Sequence, residues 1–204
     1  MIAIALRLIR DELGAYLEAV DGIPENEVVL GNIANLDEAS AQLEEKIVVT
    51  NVIIEEESSL KNERHYQTSP ASGIEYIEPP VYLNLYLLFS VTFKKESADG
   101  YEAALHKLSL IIQFFQSKKK FTVVNSPFSS ISIAGGVSDT IKSELKLSME
   151  LYTVTFEQSN HLWSSLGGKQ SPFVMYKVRL VKIQERITQE APLIEEIQEN
   201  AFST

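Results

Sequence analysis

One stretch of the sequence constrains the fold more than any other, because its residues alternate in character over many positions. Residues 78–93 read EPPVYLNLYLLFSVTF. Apolar side chains occupy every odd position from Val81 to Phe93, while most even positions carry polar or aromatic residues. Pro79 and Pro80 stand at the entrance, where their missing N–H groups cost a strand least. The pattern predicts a long β-strand whose odd face lies in the core.

Further segments have strand-like sequences. A β-branched run spans residues 47–54, and a shorter run, EVVLGNI, precedes it. Residues 143–158 alternate in one phase up to Leu151 and then change phase, which predicts a bulge or a change of buried face. Residues 173–184 alternate again, and the side chains predicted to be buried are Val174, Tyr176, Val178 and Leu180. The polar residues 58–73 are predicted to form a surface loop.

Two segments repeat apolar residues at intervals of three and four, the period of an amphipathic helix. In residues 1–20 the apolar face consists of Ile2, Ala5, Leu6, Ile9, Leu13, Tyr16, Leu17 and Val20. In residues 97–118 it consists of Tyr101, Ala104, Leu105, Leu108, Ile111, Ile112 and Phe115. Three lysines, residues 118–120, follow the second helix. They complement the carbonyl end of the helix dipole, or they bind an anionic partner.

A shorter helix is predicted in SNHLWSSLGGKQSP. Ser159 or Asn160 would cap it, and Gly167 and Gly168 would end it. Trp163 would then pack on the sheet, or it would form an interface contact, because tryptophan is enriched in buried contacts between chains.

These elements predict an α+β fold: a single domain with a mixed, mainly antiparallel sheet of long strands flanked by helices. The domain is assigned to residues 1–184. Residues 185–204 are assigned to an extended C-terminal arm or flexible tail, whose apolar residues include Ile187, Leu193, Ile194 and Ile197.

Composition argues against several classes of function. The formal net charge is −10, whereas contacts to nucleic-acid phosphates need a basic surface. Cysteine is absent, which excludes disulfides, thiolate metal sites and a cysteine nucleophile. No apolar run approaches the roughly 18 residues of a membrane span. The acidic runs, at residues 55–57 and along the tail, predict a solvated face or an electrostatic docking surface.

The sequence contains no motif that indicates catalysis. The three histidines, His65, His106 and His161, lack metal-ligand spacing. No G-x-S-x-G element supports a hydrolase. The segment SSLGGKQS lacks the first glycine of a phosphate-binding loop, because Trp163 occupies that position. We therefore predict no catalytic, cofactor-binding or metal-binding residues and no cofactor.

Four pieces in order resemble one known family. They are the N-terminal helix, PPVYLNLYLLFS, YEAALHKLSLIIQFFQ and LWSSLGGKQSPFVMYKVRLV. Together they resemble the tail-terminator, or cap, family of phage-tail-like extracellular contractile injection systems, over roughly residues 1–184.

The resemblance implies a structural protein without enzymatic activity. Relatives form a six-fold ring that ends the inner tube and caps the last sheath layer. The implied partners are further copies of the chain, in a homohexameric ring, and the inner-tube and sheath proteins, with assembly in the bacterial cytoplasm into a particle that is released. Candidate interface residues are Tyr82, Asn84, Tyr86 and Trp163, with Ile187, Leu193, Ile194 and Ile197 of the tail.

Two alternatives remain open. One is a small-molecule-binding or hydrolytic α+β domain, in which the loops ASGIEYIEPP and SISIAGGVSD would line a pocket. The other is a different tail component, such as a baseplate or tube subunit. For Tyr82, Asn84 and Tyr86, cover by the protein's own helices is an alternative to contact with a neighbouring subunit.

Overall fold

The computed structural model describes residues 1–35, 44–60, 66–69, 73–77, 79–94, 98–130, 139–167, 170–184 and 188–190. The helices in this part of the chain are α1 (Ile2–Asp21), α2 (Gly100–Ser117), α3 (Asp139–Glu144) and α4 (Phe156–Ser165). The strands are β1 (Val28–Leu30), β2 (Ile47–Glu56), β3 (Tyr66–Ser69), β4 (Gly73–Ile77), β5 (Val81–Val91), β6 (Lys120–Thr122), β7 (Lys146–Leu151), β8 (Phe173–Ile183) and β9 (Thr188–Glu190).

The main sheet has six strands in the order β1-β2-β5-β8-β7-β6. Strands β1 and β2 pair in parallel, and the remaining neighbours pair antiparallel. The two longest strands, β5 and β8, occupy the centre. The predicted α+β class, with a mixed, mainly antiparallel sheet flanked by helices, is confirmed.

The first face of the main sheet is the face covered by α1 and α2. Buried aromatic rings join the second helix to the sheet: the centroid of Phe115 lies 5.1 Å from that of Phe89 and 4.6 Å from that of Tyr176. The predicted odd face of β5 is confirmed from Leu85 to Val91, where all four odd residues are buried, whereas Val81 at the start of the strand is 43 % exposed. Each fully buried aliphatic side chain contributes about 1.5–3 kcal/mol, so this core is the main source of stability.

The second face of the sheet carries a smaller core under α4. It consists of Ile33, Val48, Leu88, Trp163 and Met175. Burial therefore extends to even positions of β5, which sequence alternation had assigned to a less apolar face. The helix above begins with a capping box: Thr155 Oγ1 accepts from the Gln158 N–H, and the Gln158 side chain accepts from the Thr155 N–H.

A second sheet contains three antiparallel strands in the order β3-β4-β9. Strands β3 and β4 form a hairpin within residues 66–77, so the prediction of a loop through residues 58–73 is wrong for this part. Strand β9 pairs with β4, which brings residues 188–190 of the predicted tail back to the domain.

Three other local predictions had different outcomes. The phase change after Leu151 is a change of buried face, because Leu147 and Met149 lie in the first core and Val154 packs against the second; β7 ends between them, without a bulge. The prediction for the cap of α4 is wrong, because Thr155 caps this helix and not Ser159 or Asn160. Lys118 follows the last residue of α2 and bonds through its N–H to the Phe114 carbonyl, but its side chain pairs with Glu12. In β8, Tyr176 and Val178 are buried as predicted and Val174 is partly buried. The side chain of Leu180 lies outside the described part of the structure.

Candidate interaction surfaces

Polar side chains of four neighbouring strands, β2, β5, β8 and β7, contact one another on the second face of the main sheet. Glu55 on β2 accepts a 2.8 Å hydrogen bond from the Tyr86 hydroxyl and lies 3.3 Å from Lys177 Nζ. The Tyr86 ring packs edge-on against Tyr152, with centroids 5.0 Å apart. The hydrogen bond from Tyr86 holds the pKa of Glu55 below its ordinary value, and burial raises the pKa of Tyr86.

The next row of the same surface is centred on Glu57. Its carboxylate accepts hydrogen bonds from Asn84 Nδ2 at 2.9 Å and from the Ser59 hydroxyl at 2.7 Å. Arg179 lies 3.6 Å from Glu57 and 3.4 Å from Glu150, which extends the row to β7. Asn84 is buried, with 2 % of its surface exposed, and its Oδ1 has no hydrogen-bond partner.

Glu57 gives this surface a pH-dependent contribution to stability. The hydrogen bonds from Asn84 and Ser59 lower its pKa from 4.5 to about 2. A carboxyl whose pKa is lower in the folded state stabilises the fold above its unfolded pKa, and that contribution is lost as pH falls toward the folded pKa. We expect stability to fall between pH 4.5 and 2, and Glu57→Gln to make that fall shallower. Urea denaturation of both proteins at pH 6, 4 and 3 checks this, and identical pH dependences would contradict it.

The candidate interface residues occupy different environments. Trp163 is 5 % exposed, and its ring packs edge-on against Phe173 with the ring centroids 5.4 Å apart. Trp163 is therefore part of the core on the second face. Asn84 is buried, whereas Tyr82 and Tyr86 are partly exposed. Ile187, Leu193, Ile194 and Ile197 lie outside the described residues. Contact of any of these residues with another chain stays a prediction.

A buried ion pair, which sequence patterns did not reveal, fixes the loop after β6. Glu12 of α1 is 4 % exposed and accepts from Lys118 Nζ at 2.7 Å and from the Phe128 N–H at 2.8 Å. Lys118 also donates to the Asn125 carbonyl at 2.7 Å. The backbone of this loop is therefore anchored, while the side chains of Val124 and Phe128 remain 94 % and 65 % exposed. In the sequence, the sign of this ion pair was Glu12 itself, a charged residue within the apolar stripe of the N-terminal helix.

The two edges of the main sheet differ in how far their backbones are covered. Strand β1 pairs with β2 only as far as Val49, and Thr50 bonds through its hydroxyl to Gly31. No described strand pairs with the outer edge of β2 beyond that point. At the opposite edge, the Asn125 side chain accepts from the Thr122 N–H at 2.8 Å and donates to the Lys120 carbonyl at 3.0 Å. The β6 edge is closed against strand addition, whereas β2 has no partner on its outer side beyond Val49 among the strands that the structure describes.

The described residues contain no cluster suited to hold a metal ion. The surface cavities among the described residues include one of about 260 Å³ and one of about 560 Å³, and neither of these two is lined by histidine. The polar groups of the first include Lys107 and Glu27, which are already ion-paired at 2.6 Å. His106 lies on the surface beside Asp21, His161 is exposed, and His65 is outside the described residues. Parts of the two loops proposed to line a pocket also fall outside the described residues.

No helix in the described part of the chain is long and apolar enough to cross a membrane. Comparison with known families matches residues 5–196 to the family described as the Pvc16 N-terminal domain. This match covers most of the chain and therefore shows its family. The chain is a member of the Pvc16 N-terminal domain family.

The solved structures similar to the chain include two caps or terminators of contractile particles. One is the sheath/tube terminator of an extracellular contractile injection system, PVC, in its extended state: TM-score 0.54, 11 % identity, covering 100 % of this chain and 65 % of that one. The other is the anti-feeding prophage cap, a tube terminating cap: TM-score 0.48, 13 % identity, covering 76 % of this chain and 49 % of that one. The chain thus spans about half to two thirds of these proteins. No curated protein matches its sequence.

Proposed function

We propose that the protein terminates the inner tube and sheath of a contractile, phage-tail-like injection particle. In this role six copies form a ring at the end distal to the baseplate, stop growth of the tube and cap the last sheath layer. The particle assembles in the bacterial cytoplasm and is then released. The single observation that carries the proposal is the family match, which covers residues 5–196.

The chain shares its fold with the sheath/tube terminator of an extracellular contractile injection system, and we propose the same role for this chain. A ring subunit must present different surfaces to two neighbours, to the tube and to the sheath. The described surface offers several distinct regions: the polar rows on the second face, the anchored loop with Phe128, and two unlike sheet edges.

A non-enzymatic role is part of the proposal. Both described cavities are lined by surface ion pairs instead of a nucleophile and a base within hydrogen-bonding reach. The same observation disfavours the hydrolytic alternative, because that alternative needs convergent polar groups in a pocket.

Electron microscopy of particles from cells lacking the gene tests the terminator role. Without a terminator, tubes and sheaths should vary widely in length and end without a cap, and the gene supplied in trans should restore a narrow length distribution. Tubes of normal length with a normal cap in the deletion strain would refute the proposal.

The C-terminal tail is proposed to act as an arm that adds to a neighbouring sheath subunit. Since residues 188–190 pair with β4, truncation after Gln184 also removes a strand of the second sheet. Truncation after Glu190 is the cleaner test. We expect this shorter deletion to preserve the folded chain but to weaken sheath attachment, as measured by co-purification with sheath. Full attachment would show that residues 191–204 are not an arm.

A further inference from the structure

Exposed lysines at the β6 side of the main sheet lack a carboxylate partner. Lys119 precedes β6, Lys120 begins it and Lys146 begins β7, and the side chains of all three are exposed. Within the described residues no ion pair includes any of them. Other lysines of the same part of the chain each pair with a carboxylate, namely Lys94, Lys107, Lys118, Lys177 and Lys182. The ammonium groups at this edge are therefore available to an anionic group.

The strand register brings Lys120 and Lys146 together. Lys146 lies across from Thr122, which is two residues after Lys120, so the two lysines are diagonal neighbours on one face. Diagonal neighbours in a sheet lie about 7–8 Å apart, within reach of long side chains, and like charges so close together are unfavourable. Glu150, on the same face of β7, is already bound to Arg179 at 3.4 Å. A carboxylate placed between the two lysines would relieve their repulsion.

An exposed apolar side chain is held beside these lysines. Val124, which follows β6, is 94 % exposed. The Asn125 side chain accepts from the Thr122 N–H at 2.8 Å and donates to the Lys120 carbonyl at 3.0 Å, which fixes the turn that carries Val124. A group that is held in place before binding loses less conformational freedom when a partner arrives. We name Lys119, Lys120, Lys146 and Val124 the basic surface.

Residues 191–204 of the same chain have the complementary composition. This segment reads APLIEEIQENAFST and contains no lysine, arginine or histidine. Its charged residues are Glu195, Glu196 and Glu199, and apolar residues lie between and before them: Leu193, Ile194 and Ile197. We name residues 191–204 the acidic segment. Its carboxylates match the lysines of the basic surface, and its apolar side chains match Val124.

Strand order leads the chain to the end of the sheet that holds Lys146. Strand β8 ends at Ile183, and Lys182 Nζ lies 3.6 Å from Glu144, which is two residues before Lys146. Strand β9 then pairs with β4, and β4 leads into β5, whose first residue, Val81, pairs with Ile183. The chain therefore reaches the start of the acidic segment at the same end of the sheet.

We propose that the acidic segment docks on the basic surface of its own chain. Its glutamates contact the lysines, and one of its apolar side chains packs on Val124. An extended segment of this length spans up to about 45 Å, whereas β6 lies two strands, or about 10 Å, from β8. Docking therefore needs no change in either sheet.

The docked state goes beyond the proposed function, because it concerns the free subunit. One consequence rests on that function: if the acidic segment is the arm that joins the sheath, the subunit holds this arm until a sheath subunit takes the place of the basic surface. The lysines after α2 then have an anionic partner within the chain, which was one of the two roles predicted for them from the sequence.

Chemical cross-linking of the purified full chain tests the docking directly. A carbodiimide joins a glutamate carboxylate to a lysine amine that it contacts, and mass spectrometry identifies the linked residues. An equal mixture of unlabelled and isotope-labelled chain separates links within one chain from links between copies. We expect Glu195, Glu196 or Glu199 to be linked to Lys120 or Lys146, within one chain only. The yield should fall at least about fivefold between about 0.1 M and 1 M salt, because the Debye length falls from about 10 to about 3 Å.

A fluorescent label on the acidic segment gives an independent measurement. The chain contains no cysteine, so Ser203→Cys provides a single labelling site. Lys120→Glu with Lys146→Glu should release the segment and lower the fluorescence anisotropy of the label to the value measured at high salt. Arg7→Glu is the matched control, since it reverses an exposed cation on α1, and it should leave the anisotropy unchanged. Circular dichroism verifies that each variant is folded.

Restoring opposite charges should restore the docking. Glu195→Lys with Glu199→Lys, added to the two lysine reversals, should raise the anisotropy again. A folded lysine variant with unchanged anisotropy would overturn the inference, and so would a wild-type chain without links between the segment and these lysines. Links between differently labelled copies would overturn docking within one chain and assign the segment to a second copy. Each of these results leaves the terminator role untouched, because particle length in the gene deletion tests that role separately.

Discussion

Trp163→Ala is expected to lower the free energy of unfolding by about 3–5 kcal/mol, the usual cost of removing a large aromatic side chain from a core. Trp163 is 5 % exposed and lies with Val48, Leu88 and Met175 beneath α4. This core is small, so neighbouring side chains have little capacity to fill the space left. Urea denaturation followed by circular dichroism measures the change.

Trp163→Phe distinguishes packing from hydrogen bonding at the same position. The indole N–H of Trp163 is buried without a partner, which is itself unfavourable. Phenylalanine keeps an aromatic ring and removes that donor, so we expect a loss below about 1.5 kcal/mol. Phe156→Ala is the control, because Phe156 is 92 % exposed and its removal should change stability by less than about 0.5 kcal/mol. A Trp163→Ala protein as stable as wild type would contradict this account, because it would show that the indole does not stabilise the core under α4.

Glu12→Ala is expected to lower the free energy of unfolding by about 3 kcal/mol, because it leaves a partly buried cation without its counter-charge. Lys118 Nζ lies 2.7 Å from the Glu12 carboxylate, and the two side chains are only 22 % and 4 % exposed. The Phe128 N–H loses its acceptor as well. The loop that presents Val124 and Phe128 should therefore become less ordered, which hydrogen exchange can follow.

Two variants serve as controls for the Glu12 experiment. Glu18→Ala removes an exposed glutamate from the same helix and should change stability by less than about 0.5 kcal/mol. Glu12→Ala combined with Lys118→Met should recover part of the loss, since no charge is then left unpaired in the interior. A Glu12→Ala protein as stable as the Glu18→Ala protein would show that the ion pair does not hold the loop.

Sequence periodicity identified both long helices but not the exact face that each buries. The predicted stripe of α2 included Tyr101, Leu105 and Ile112, which are 55 %, 43 % and 42 % exposed, whereas Leu110 and Phe114 are buried. Apolar residues cover much of this helix, so a period of 3.6 fits more than one rotation. Contact with α1 and with β5 selects the rotation, and that contact is set by the tertiary fold.

The interaction surfaces were less predictable than the strands. Alternation located the long strands because their odd residues face a core, and β5 and β8 lie close to the predicted bounds. The Glu12–Lys118 pair joins residues 106 positions apart, and the Glu57–Asn84 bond joins residues 27 apart. Such pairs follow from strand order, which local patterns do not encode. The lack of a described strand beside β2 beyond Val49 follows likewise from the short length of β1.

The position of the protein on the particle tests the central claim most directly. An antibody against this chain, detected with gold label on intact particles by electron microscopy, would report that position. A terminator predicts label at one end only, the end opposite the baseplate, on particles of uniform length. Label along the whole tube or at the baseplate end would contradict the claim and favour a tube or baseplate subunit.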